Sequence, residues 1–66
     1  MLIRGCYLTL DQYMRVLNFL NIENQDDYAI EYIGSVNYGK AYRISEIYGD
    51  YERDIVIVGD KISELP

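Results

Sequence analysis

A chain of 66 residues with one cysteine and no histidine has to hold its fold together by packing alone. Cys6 has no second thiol to pair with, and a zinc site of the usual Cys/His kind has no histidine to draw on. Chains this short bury only about 60% of the surface their unfolded forms expose. The core must therefore be efficient, or a partner must complete it. Half the residues are apolar, a composition that folds rather than stays disordered. The expectation is a single domain over residues 1–66.

Local patterns divide the chain into short segments. Met1 to Leu8 is apolar and reads as a first strand, with Cys6 as a small buried hydrophobe on it. Thr9-Leu10-Asp11-Gln12 is a helix start, because Thr9 can cap the Gln12 N–H while the Gln12 side chain reaches back. Leu10, Tyr13, Met14, Leu17 and Leu20 then follow helical spacing along one apolar face, widened by Val16 and Phe19. Asn21 suits the left-handed stop of a helix running from about Leu10 to Leu20. Glu23 to Asp27 is an acidic loop. Tyr28 to Val36, Ala41 to Tyr48 and Tyr51 to Val58 read as strands. Asn37-Tyr38-Gly39 serves as a three-residue loop and Gly49-Asp50 as a two-residue turn. Gly59-Asp60 ends the last strand, and the tail to Pro66 can form one helical turn.

This order, β-α-β-β-β, predicts the α+β class: one domain with a mostly antiparallel four-stranded sheet and one helix packed on one face. The last three strands form a meander, and the first runs parallel to a neighbour across the helix. The run Ile55-Val56-Ile57-Val58 suits an internal strand, which favours the strand order 2-3-4-1. The turns imply a register pairing Tyr48 with Tyr51, Glu46 with Arg53, Ile44 with Ile55, Tyr42 with Ile57, and Tyr32 with Ile44. All of these lie on one face, which is expected to take the helix.

The other face is mixed. Ile33, Ile47, Val56 and Val58 form an apolar island edged by Glu31, Arg43, Glu52 and Asp54. One helix cannot cover both faces, so the island is a candidate oligomer interface.

Net charge is −5, and it is unevenly spread. Residues 1–22 sum to +1 and residues 23–66 to −6. A surface this acidic does not neutralise phosphates, so neither direct nucleic-acid binding nor adhesion to anionic membranes is expected. It suits a protein partner with a basic surface. Asp50, Glu52 and Asp54 alternate and would share one face of a strand. Such a row can imitate a nucleic-acid backbone, or it can simply protect a hairpin from edge pairing. A calcium loop is a poor fit, because Ile55 stands where its glycine belongs and the terminal glutamate is missing.

Chemistry finds little purchase. General acid–base work at neutral pH usually recruits histidine, and no phosphate loop, metal cluster or nucleophile–base pair is present. A binding protein without catalytic residues, metal or cofactor is expected. A single cysteine, and an N-terminus whose apolar stretch is interrupted by Arg4, fit a cytoplasmic setting. In size and charge the chain is similar to the small inhibitors of phages and mobile elements, anti-CRISPR and anti-restriction proteins among them, although no residue motif carries that likeness. The expected activity is docking on the basic groove of a nucleic-acid-handling protein through Asp26, Asp27, Tyr38, Asp50, Tyr51, Glu52 and Asp54. The alternative is a homodimer, a larger homo-oligomer or an accessory subunit joined through Ile33, Ile47, Val56 and Val58.

Overall fold

The computed structural model describes residues 2–4, 8–37 and 39–65, with residues 2–4 described by their backbone. The expectations for Cys6 and Tyr38 lie outside these residues. In chain order the elements are β1 (Leu2–Arg4), α1 (Leu10–Phe19), a short 3-10 helix (Gln25–Asp27), β2 (Tyr28–Val36), β3 (Gly39–Glu46), β4 (Glu52–Val58) and β5 (Lys61–Glu64). The class is α+β, with one α-helix against a sheet in which β2 to β5 form an antiparallel meander.

α1 begins as its sequence dictates. The Gln12 N–H donates to Thr9 Oγ1 at 3.1 Å, and the Thr9 N–H donates to Gln12 Oε1 at 3.2 Å. Asp11 in the first turn pairs with Arg15 one turn on, at 2.9 Å. Asn21, with φ 58°, makes the left-handed exit. The buried stripe is rotated from the one the spacing predicts. Val16 is 1% exposed and Leu17 6%, whereas Leu10 is 77% and Met14 49% exposed. At 100° per residue Met14 lies roughly 160° around the helix from Val16, so both cannot face the sheet. Tyr13 helps to fix the choice. Its hydroxyl needs a polar partner and bonds Gln25 Oε1 at 3.0 Å, which sets Tyr13 at the edge of the core.

The strand order is β1-β2-β3-β4-β5, not 2-3-4-1. β1 is parallel to a neighbour as expected, but the neighbour is β2, with Ile3 opposite Ile30. The far side of β4 is taken by the tail, which forms a strand and not a helical turn. Val58 closes on Lys61 around Gly59-Asp60, Ile62 lies opposite Ile57, and the Leu65 N–H donates to Asp54 O at 2.9 Å. Ile62 packs against the core, which a solvated helical turn would not allow.

Both hairpins are offset from the expected register by two residues. Tyr42 stands opposite Ile55 and Ile44 opposite Arg53, while Tyr32 stands opposite Tyr42. Neither Gly49 nor Asp50 takes the positive φ that a primed two-residue turn needs. The connection therefore runs over four residues, 47–50, closed by the Glu46 N–H donating to Tyr51 O at 3.0 Å. Between β2 and β3 the opposite happens. Asn37, with φ 34°, takes the positive-φ position, and Gly39 already pairs with Val36. A bulge at Ile33, between the Tyr32 and Gly34 pairings, absorbs the extra residue. Gly39 is required for space, since a Cβ there would lie 2.7 Å from Val58 Cγ2 and 2.8 Å from both Ile57 O and Val56 Cγ1.

A shift of two residues leaves every side chain on its own face. The core is accordingly built from Ile30, Tyr42, Ile44, Ile55 and Ile57 of the sheet with Val16 of the helix, and Tyr28, Tyr32 and Tyr51 pack against it. No buried side-chain polar atom among the described residues lacks a hydrogen-bond partner.

Candidate functional site

The expected row of carboxylates is not a free row. Arg43 of β3 lies opposite Asp54 of β4. Its Nε donates to Asp54 Oδ1 at 2.9 Å and its Nη2 to Oδ2 at 3.1 Å. Glu52 joins from the same strand, with Oε1 3.0 Å from Arg43 Nε. The hydrogen bonds from Arg43 hold the Asp54 carboxyl below its ordinary pKa, and the same contact raises the Arg43 guanidinium. Glu52 and Asp54 do share a face, but an arginine spans them. Asp50 is not in the row at all, because it belongs to the β3–β4 turn. Arg53 is also displaced from its expected partner Glu46. It reaches Glu64 of β5 at 3.5 Å and stands over the Tyr51 ring, with Cζ 5.0 Å from the centroid.

The structure instead gathers acids at one end of the sheet. The Ile47 N–H donates to Asp27 O at 2.9 Å, which ties the β3–β4 turn to the 3-10 helix before β2. Tyr28 pairs with Glu46 across the same end. The segments 23–28 and 46–51 thus meet at Asp27–Ile47 and Tyr28–Glu46, and between them they carry Glu23, Asp26, Asp27, Glu46 and Asp50 with no lysine or arginine in either segment. The other six acids of the chain equal its six bases in number, so by count these two segments account for the net charge of −5. Its conformation is fixed locally. Asn24 Nδ2 donates to Asp27 Oδ2 at 2.7 Å, and Tyr13 anchors Gln25 from the helix. Burial, with Asp26 as a smaller contribution, raises the Tyr13 phenol.

Aromatic rings line the pole. Tyr28 and Tyr51 meet edge to face at 5.4 Å. Tyr51 is half-buried there, and burial raises its phenol. Tyr48, at the tip of the turn, is 97% exposed.

Of the residues expected to bind a partner, Asp26, Asp27, Asp50 and Tyr51 lie on the two segments that meet at this end. Glu52 and Asp54 begin the adjoining open face, engaged by Arg43. Glu23, Glu46 and Tyr48 belong to the same end and were not among the expected contacts. The missed signal is the turn. Read as two residues, it pairs Tyr48 with Tyr51 on the sheet; read as four, it lifts Tyr48 into solvent.

The apolar island is divided. Val56 and Val58 flank Gly39 at one end of β3, while Ile47 follows Glu46 at the other. At strand rise these ends are about 24 Å apart, with Arg43, Glu52 and Asp54 between them. Val56 is only 8% exposed, whereas Ile33, Ile47 and Val58 are 38%, 42% and 37% exposed.

A groove of about 500 Å³ lies away from the acidic pole, lined by Gln12, Ser35, Asn37, Lys40, Tyr42 and Ile57 among others. Among the described residues no three His, Cys, Asp or Glu side chains converge to hold a metal, and no helix is long and apolar enough to cross a membrane. No protein-family model, curated protein or solved structure matches the chain.

Proposed function

We propose that this domain is a binding protein that docks its acidic pole on a basic protein surface, such as the nucleic-acid groove of a nucleic-acid-handling protein, and blocks that groove. The observation that carries the reading is that the Ile47–Asp27 hydrogen bond joins two segments whose sequences hold five acids and no lysine or arginine. Field lines from such a pole steer a basic partner to one end of the molecule and set its orientation before contact. The scaffold suits this use, since the pole sits on backbone fixed by the sheet and little ordering is left for the moment of binding.

The balanced charge elsewhere explains why the contact surface is better placed at the pole than along β4. Glu52 and Asp54 already share a guanidinium, so a partner's cations would have to displace Arg43 to use them fully. Asp26→Lys with Asp50→Lys tests the reading. The unaltered chain is expected to bind basic proteins at low salt, and the double variant to remain folded and lose that affinity. Unchanged affinity would remove the pole from the interface.

A further inference from the structure

We propose that Tyr48 is an arginine-stacking anchor, so that the pole selects partners presenting arginine over partners presenting lysine. The proposal rests on the docking role of the acidic pole and names the chemistry that the pole recognises.

Tyr48 is the exception among the described tyrosines. Tyr13, Tyr28, Tyr32, Tyr42 and Tyr51 are all half-buried or buried, and Tyr48 alone stands almost wholly in water. A ring in that position adds nothing to the core. The backbone that carries it is nonetheless fixed, because the turn is tied by two backbone hydrogen bonds. The Glu46 N–H donates to Tyr51 O and the Ile47 N–H to Asp27 O. Inside the turn the Glu46 carboxylate packs over Gly49, where a Cβ would come within 2.7 Å of Oε2. A side chain at position 49 would push that carboxylate away, so the glycine keeps Glu46 folded against the turn that carries Tyr48. The result is a presented ring with Glu46 on one side of it in sequence and Asp50 on the other.

A guanidinium fits this arrangement and an ammonium fits it less well. The guanidinium is flat and weakly hydrated, so it can lie on a ring face while its edge N–H groups reach carboxylates. A lysine ammonium is compact and strongly hydrated, so it gains less from the ring and relies more on the carboxylates. The protein makes the same kind of contact internally, with Arg53 over Tyr51 at 5.0 Å. Tyrosine is also among the residues that most often dominate binding energy at interfaces.

The test uses the full chain with two probes of equal charge, a ten-residue arginine peptide and a ten-residue lysine peptide, titrated by calorimetry at low salt. The unaltered chain is expected to bind both and to prefer the arginine peptide. Tyr48→Ala should narrow that preference about two- to fivefold, the size of an exposed cation–π contact, while Tyr48→Phe keeps it. An arginine-to-lysine ratio unchanged by Tyr48→Ala overturns the anchor and leaves the acidic pole standing. Failure of both peptides to bind the unaltered chain overturns the pole, and the anchor with it.

Discussion

Arg43 and Asp54 face each other across adjacent antiparallel strands, and two guanidinium nitrogens bond the two carboxylate oxygens at 2.9 and 3.1 Å. This one pair ties the register of β3 and β4 to the electrostatics of the open sheet face. In the register expected from a two-residue turn, Arg43 would stand opposite Val56 instead.

The pair predicts how stability depends on acid. Hydrogen bonding from Arg43 lowers the Asp54 pKa in the folded chain. A carboxyl with a depressed folded pKa stabilises the fold fully above its unfolded pKa, near 3.9, and loses that contribution as pH falls through the folded value. Asp54→Asn should therefore be less stable than the unaltered chain at neutral pH. The gap should hold down to about pH 4 and shrink below it. Urea midpoints measured from pH 7 to pH 2.5 would show it. A gap independent of pH over that range would mean the side chain acts by packing rather than by charge.

Much of the fold can be read from the sequence because the two-residue period of a strand fixes its face more firmly than its partner. Both hairpins sit two residues away from the register implied by the turns, yet Ile30, Tyr42, Ile44, Ile55 and Ile57 face the helix as their alternation requires. The Thr9–Gln12 capping box and the Asn21 exit are equally legible, because each is complete within four residues or fewer. What depends on the length of a turn is not legible in this way. Gly49-Asp50 looks like a two-residue turn, and Tyr48 moves from sheet to solvent when it is not one. The fifth strand is hidden for a related reason: Lys-Ile-Ser-Glu is too short to show a period and needs Ile57 beside it to become a strand. The candidate site follows the same division. Its acids are visible in sequence, but the backbone hydrogen bond that gathers them joins residues 27 and 47.

The rotation of α1 gives a second prediction. Val16 is in the core at 1% exposure and Met14 is half in water. Val16→Ala should cost about 2 kcal/mol from lost apolar burial and the cavity left behind. Met14→Lys should change stability by no more than about 0.5 kcal/mol. Chemical denaturation of the two variants separates this helix face from the one that the leucine spacing alone predicts, on which Met14→Lys would be the damaging change.

Gly39 gives a third. Its Cβ position is already occupied by Val58 Cγ2, Val56 Cγ1 and the Ile57 carbonyl. The two valine methyls can move, but the carbonyl belongs to the β3–β4 ladder. Gly39→Ala should destabilise the fold by about 1–3 kcal/mol, the usual cost of overpacking. Adding Val58→Ala should restore only part of the loss, since the backbone contact remains. Full restoration would locate the crowding in the valines alone.

The open face predicts the state of association. Its apolar side chains are split between the two ends of β3, and the middle carries Glu31, Glu52 and Asp54 against the single Arg43. Two copies stacked face to face would bring those like charges together and bury little continuous apolar surface. The free edge at β5 is four residues long and bounded by Lys61 and Glu64, which discourages pairing by strand addition. Light scattering behind size exclusion should therefore give the monomer mass of 7.7 kDa at the highest concentration the protein reaches. A dimer mass would revive the sheet face as an interface. In that case Val58→Glu should dissociate the dimer while Tyr48→Ala leaves it intact, because the two residues lie at opposite ends of β3.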